Sequence, residues 1–156
     1  MTPLPDDTFN LIMRWEGFRA EWYADAGGVR TIGYGTTDMD RAITPAEIEP
    51  PITAGRAEEL LRRSIEKQYE PCVRESLSRS VAPQKLGAMV SLAYNIGCGA
   101  FGDSTLVQLV NAGESDMAAD EFLRWKYVDG RVVEGLLNRR KAERELFLGG
   151  KDRALS

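Results

Sequence analysis

Residues 15–36 read WEGFRAEWYADAGGVRTIGYGT, and this stretch organises the rest of the chain. It reads as the last turn of a helix, a stop, and a tight glycine-rich β-hairpin. The entering helix carries Phe9, Ile12 and Met13 at helical spacing, and Glu16 is the next position of that series. A carboxylate therefore stands on an apolar face, where a leucine would fit. Gly17 follows at once, as a C-cap glycine does. Burial disfavours the charged form, so a Glu placed there is expected to hold its proton to higher pH than a free one. A carboxylic acid still protonated near neutral pH is what a general acid needs.

Asp25 opens the turn DAGG. An Asp at that position can bond to backbone two residues ahead, so a purely structural role would look the same. Thr31 follows in TIGYG. On a strand, Thr31, Gly33 and Gly35 share one face, and Ile32 and Tyr34 share the other. The first face is nearly bare backbone with a single hydroxyl, which would leave room for a bulky ligand to lie close. Two carboxyls and a hydroxyl, on a helix end, a turn and a strand, can converge on one cleft. Paired carboxylates across a cleft are the apparatus of glycosidic bond hydrolysis.

Other chemistries are poorly supplied. The chain has no histidine, which removes the nucleophile–histidine triads. Two isolated cysteines, Cys72 and Cys98, make neither a zinc site nor a disulfide framework and read as reduced thiols. GYG and GCGAFG lack the strand–Gly–Lys–Ser/Thr context of a phosphate loop. No cofactor and no metal are expected. A net charge of −4 and the lack of any recognised motif disfavour nucleic acid. The charge is uneven: residues 1–60 hold 11 acidic and 5 basic side chains, and residues 61–156 hold 13 and 15. A less acidic second half could attract an anionic polymer, or could be ordinary solvated charge. No apolar run is long enough to span a membrane, and MTPLPDDTFN lacks the pattern of a secretory signal. Synthesis in a cytoplasm is the expectation.

Along the chain, a first helix is predicted over about 7–16, then the hairpin region over about 18–36. TPAE reads as a short capped helix with Thr44 as cap, Pro45 at N1 and Glu47 at N3. Thr53 caps a long helix predicted over 54–70, which Pro71 should interrupt, with a second short helical piece open to the segment up to Pro83. A strongly apolar helix follows over 84–96, with Tyr94 and Asn95 near its end. Asp103 or Ser104 caps a helix over 105–112, and another spans 116–126. YVDGRVV reads as a loop with an Asp129–Gly130 turn. The last helix runs over 135–148, where Arg139, Arg140 and Glu143 form a salt-bridged face. The tail KDRALS is expected to fray. Segregated regions of period two and period 3.6 predict an α+β, mostly helical protein.

Glu16, Asp25 and Thr31 match, in spacing and context, the Glu–Asp–Thr catalytic set of phage-type lysozymes, the endolysins of glycoside hydrolase family 24. The resemblance continues through N-I-G…F…S-T-L and G-L-x-N-R-R-x-x-E, so it covers nearly the whole chain. It implies a two-lobe lysozyme-like fold: a small hairpin lobe over about 17–52, a linking helix over 53–70, and a helical lobe over 71–150 with the first helix packed on it. It implies a muramidase that cleaves the β-1,4 bond between N-acetylmuramic acid and N-acetylglucosamine, with net inversion. Glu16 would be the acid, and Asp25 and Thr31 would position water. Bacterial peptidoglycan would be the partner of a monomer held in the host cytoplasm until a separate pore protein releases it.

The resemblance also points to Tyr34, Tyr94, Asn95, Ser104 and Asn138 as substrate contacts. Each has a structural alternative: core packing for the tyrosines, helix-end bonding for Asn95, capping for Ser104, and a salt-bridged helix face around Asn138. One position departs from the pattern. Most relatives read T-I-G-Y-G-H, and here Thr36 stands in place of the histidine. Retained activity is expected, with some other partner holding the hairpin. Competing readings are a catalytically silent glycan-binding module, a lytic transglycosylase that would not need Asp25, and a structural phage component.

Overall fold

The computed structural model of the chain describes residues 3–149, and the tail expected to fray lies outside them. The chain is α+β and mostly helical, as the periodicities predict. It divides into two compact units, one made of residues 1–11 with 72–156, the other of residues 12–71. The linking helix expected over 53–70 thus belongs to the hairpin unit, and the first helix is shared between the units at Leu11–Ile12.

In the hairpin unit, helix α1 (Asp6–Glu16) leads into strands β1 (Arg19–Ala24), β2 (Arg30–Gly33) and β3 (Thr36–Thr37), which form one antiparallel sheet. Its apolar face covers a cluster of Ile32, Ile43, Ile48, Ile52, Ala57 and Leu60, with Trp22 and Tyr34 packed against it. The Pro45–Glu47 turn of 3₁₀-helix has the predicted capping pattern: the Glu47 carboxylate accepts from Thr44 N and Thr44 Oγ1, both at 2.9 Å. Those bonds and the Arg63 guanidinium hold the Glu47 carboxyl down at about 2.

Helix α2 (Ala54–Ser64) is capped by the Thr53 hydroxyl, which accepts from Arg56 N at 3.0 Å. The interruption expected at Pro71 takes the form of a wider turn just before it, and the second short helical piece is present. The chain widens into a π-turn over Ile65–Tyr69, where Glu70 N bonds to Ile65 O, and then continues as α3 (Glu70–Ser76). In a regular α-helix the Pro71 ring would collide with the carbonyl four residues back, and the wider turn relieves that collision.

Position 36 corrects an expectation. Thr36 is fully buried, and its Oγ1 has no hydrogen-bond partner among the described residues. What ties β3 in place is backbone: Ile32 pairs with Thr36, Thr31 pairs with Thr37, and Asp38 N bonds to Arg30 O at 3.0 Å. A buried, unsatisfied hydroxyl is destabilising. Thr36→Val keeps the shape and removes the hydroxyl, so it should raise the unfolding free energy by about 1 kcal/mol. Urea denaturation checks this; an unchanged or lower midpoint would mean that the hydroxyl is satisfied in solution.

The other unit holds α4 (Pro83–Ile96), α5 (Cys98–Gly102), α6 (Thr105–Asn111), α7 (Ser115–Glu121) and α8 (Glu134–Phe147). GCGAFG carries α5. YVDGRVV is a hairpin, with β4 (Tyr127–Val128) pairing β5 (Arg131–Val132) across the Asp129–Gly130 turn. The Arg139–Arg140–Glu143 group is salt-bridged at the expected i, i+3 and i, i+4 spacing, and it is also buried, at 4%, 0% and 0% exposure. Ser91 of α4 donates to Glu143 Oε2, Arg140 Nη2 donates to the same oxygen at 3.2 Å, and Arg139 Nη2 donates to Ser91 O at 3.2 Å. Small Ser91 lets α8 approach α4 closely enough for the charges to be enclosed and bonded together. Cys72 and Cys98 form a disulfide, with Cα atoms 6.1 Å apart, and this overturns the reading of two free thiols.

Candidate active site

Helix α1 ends at Glu16 because Gly17 adopts φ 74° and its N–H bonds to Met13 O at 3.1 Å. A left-handed residue at that place stops the helix and favours glycine. Burial falls off along the apolar face, from Phe9 at 4% and Ile12 at 0% exposure to a half-buried Met13 and Glu16. Glu16 is therefore placed by the helix yet remains reachable, rather than enclosed like a leucine.

Asp25 is exposed and held rigidly. Its Oδ1 accepts from Gly27 N at 2.8 Å and Val29 N at 2.9 Å. Its backbone closes the same turn, Asp25 N bonding to Val29 O and Gly28 N to Asp25 O, both at 2.9 Å. The turn-forming role foreseen for an Asp is real, but it uses one oxygen and leaves Oδ2 for other work. Thr31 is 4% exposed and its Oγ1 donates to Val29 O at 2.9 Å. The hydroxyl proton is thus committed, and its lone pairs are left to accept.

The bare face expected beside Thr31 is not open along its whole length. Gly33 takes φ 67°, and a Cβ built there would lie 3.1 Å from Ala57 Cβ. Helix α2 fills that space, so the room next to Thr31 does not extend over Gly33.

Pairing within the sheet is irregular, and the irregularity matters. Arg19 opposes Gly33, but Tyr23 opposes Thr31 and Ala24 opposes Arg30. Four residues of β1 therefore face two of β2, a bulge that brings Tyr23 opposite Thr31 where regular pairing would have put Glu21. The Tyr23 phenol titrates above its usual range. Burial is the main cause, then the Glu16 charge, with Arg19 opposing and Asp25 adding. Tyr69, in the π-turn, is raised by burial and by the charges of Asp40 and Glu16. Neither Tyr23 nor Tyr69 is among the site residues that the sequence singles out. Tyr23 stands two residues before Asp25, which was a usable signal; the bulge that aims it was not readable.

A sequence model of the family described as phage lysozyme matches residues 13–143. The chain belongs to the phage lysozyme family. The endolysin of Bacillus phage B103 is 39% identical over 149 residues, spanning 94% of this chain but only 54% of that protein, so this chain covers about half of that relative. Among solved structures, the endolysin from Escherichia coli O157:H7 phage FAHEc1 superposes with a TM-score of 0.80 at 33% identity, covering 94% of each chain. The muramidase domain of SpmX from Asticaccaulis excentricus gives a TM-score of 0.82 at 29% identity, covering 95% of this chain and 99% of that one.

In this lysozyme-family chain, Glu16, Asp25, Thr31 and Tyr34 belong to the hairpin unit, and Tyr94, Asn95, Ser104 and Asn138 to the other. Tyr34 packs on the Ile32 cluster, with its ring centroid 5.7 Å from that of Phe18. Tyr94 is half-buried near the end of α4, and Asn95 beside it is exposed. Ser104 is buried and acts as a cap: its Oγ accepts from Val107 N at 3.2 Å and donates to Phe101 O at 2.6 Å. Asn138 is exposed on α8, next to the enclosed Arg139 and Arg140. Among the described residues, no group of three or more His, Cys, Asp or Glu could hold a metal, and no helix is long and apolar enough to cross a membrane.

Proposed function

We propose that the chain is an endolysin muramidase that hydrolyses the β-1,4 bond between N-acetylmuramic acid and N-acetylglucosamine in bacterial peptidoglycan. The observation that carries this reading is that one compact unit holds Glu16 at the end of α1, Asp25 locked in its turn by Gly27 N and Val29 N, and the buried Thr31 on β2. Paired carboxyls are the apparatus of glycosidic bond hydrolysis. Membership of the family and the likeness to a muramidase domain support the choice of glycan.

In the proposed reaction Glu16 gives its proton to the glycosidic oxygen as the bond from that oxygen to the anomeric carbon breaks. Water attacks the anomeric carbon from the opposite face and passes a proton to the Asp25 carboxylate. Thr31 holds that water by accepting its second hydrogen, since the Thr31 proton is already given to Val29 O. Attack from the opposite face inverts the anomeric centre. Acid and base assistance of this kind each contributes about 10²–10⁴-fold. Release of the enzyme from the host cytoplasm to the wall, through a pore made by another protein, completes the reading, with the enzyme acting as a monomer.

Digestion of purified peptidoglycan in ¹⁸O-labelled water tests it. The expected fragments each gain one water and carry the label at a new reducing-end N-acetylmuramic acid. Fragments ending in an unlabelled anhydro sugar would assign a lytic transglycosylase instead. Binding without any fragments would assign a silent glycan-binding module.

A further inference from the structure

The alternation of β1 sorts its two central aromatics onto opposite faces. Trp22 lies with Ile32 on the apolar cluster, and Arg30 stacks on its ring with the guanidinium 4.6 Å from the centroid. Tyr23 lies on the other face, opposite Thr31. Strand pairing makes directly opposed residues neighbours on one face, so the phenol and the Thr31 hydroxyl share a surface. The bulge between Arg19 and Tyr23 is what makes them opposed. One side of the Tyr23 ring is covered by Arg19, whose guanidinium carbon is 4.6 Å from the centroid. That cover leaves the hydroxyl, rather than the ring face, as the useful end of the side chain. The ring is half-buried, so its direction is set by packing.

Asp25 follows two residues later, with Oδ1 tied into its own turn and Oδ2 uncommitted. Thr31 has spent its proton on Val29 O and can only accept. A water held between an ionised Asp25 and Thr31 would meet acceptors on both sides. It needs a donor to fix its third direction, and a phenol on the same face provides one.

We propose that Tyr23 is a positioning residue of this site, its O–H orienting the water that Asp25 activates and Thr31 holds. This rests on the lysozyme reading above and deepens it. The charged and titratable groups around the phenol are Glu16 at the end of α1, Arg19 on its own strand and Asp25 in the turn. Glu16 is faced in addition by Tyr69 of the π-turn, which also feels Asp40. Burial and the carboxylates keep the phenol protonated, so it remains a donor throughout the working range of a glycosidase.

Tyr23→Phe tests the proposal, because it keeps the ring under Arg19 and removes only the O–H. Hydrolysis of purified peptidoglycan by wild type, Tyr23→Phe and Glu16→Gln is followed against pH, with thermal melts of each. The expected result for Tyr23→Phe is a kcat about tenfold lower with KM nearly unchanged and an unaltered melt. The O–H is given to the water and not to a carboxylate, so the pH profile of kcat should keep its shape while its height falls. An active wild type, a silent Glu16→Gln and a Tyr23→Phe with unchanged kcat and profile would overturn the role of Tyr23 and leave the lysozyme reading standing. A wild type that cleaves nothing would sink both. Should Tyr23→Phe lose melting temperature and activity in step, or lose activity through KM alone, Tyr23 is structural and the proposal is wrong.

Discussion

Glu16→Gln is expected to lower the rate of peptidoglycan hydrolysis by at least about 100-fold while leaving the fold intact. The carboxamide has the shape of the acid, and the side chain is half-buried at a helix end, so packing is little disturbed. What disappears is the proton that the leaving oxygen must receive. Asp25→Asn is the companion variant. An amide oxygen can still accept from Gly27 N and Val29 N, so the turn survives while the negative charge is lost. It should also lose about 100-fold or more if that charge takes the proton of the attacking water. Dye release from labelled peptidoglycan measures both, with thermal melts as the control for folding. Wild-type rates from Glu16→Gln would remove it as the acid. Wild-type rates from Asp25→Asn, together with a silent Glu16→Gln, would favour the transglycosylase, which has no use for a second carboxylate.

The second large effect concerns stability. Cys72→Ser should destabilise the oxidised protein by about 3 kcal/mol, because the Cys72–Cys98 bridge closes a loop of sequence separation 26. Cross-linking removes conformations from the unfolded chain, and the longer the loop the larger the loss of entropy. For a chain of this size that corresponds to a fall in Tm of roughly 6–12 °C. Both cysteines sit in one compact unit, Cys72 in the first turn of α3 and Cys98 at the start of α5. The bridge therefore acts within that unit. Calorimetry of oxidised wild type, reduced wild type and Cys72→Ser checks this: the last two should melt together, below the first. Equal melting of all three would show that the bridge contributes nothing. Since reduction is the condition of a cytosol, the protein should be at its most stable only after it meets an oxidising compartment.

The candidate site was legible where its residues follow one another. The Phe9–Ile12–Met13–Glu16 series announces a carboxyl on an apolar stripe, and Gly17 announces the end of the helix, because helical periodicity and left-handed caps are local properties. Asp25 was legible as a turn residue for the same reason, and the turn bonds are present. Tyr23 escaped because its place opposite Thr31 depends on the bulge in β1, which no alternation pattern reveals. Gly33 was misjudged as open because the filler, Ala57, is supplied by a helix that begins 21 residues later.

Local chemistry along the chain thus determined the α+β class, the ends of α1, α6 and α8 to within a residue or two, the capped Pro45–Glu47 turn, and the Glu–Asp–Thr spacing. Each is set by groups within a few positions of one another, which one sequence displays in full. Tertiary structure alone decided the orphaned hydroxyl of Thr36, the Cys72–Cys98 bridge, and the enclosure of Arg139 and Arg140 around Glu143. Those depend on which distant segments meet and on how much solvent they exclude. Burial leaves the Thr36 hydroxyl unsatisfied and the two guanidinium groups enclosed, and proximity joins the two thiols; both are properties of the packed chain rather than of any stretch of it.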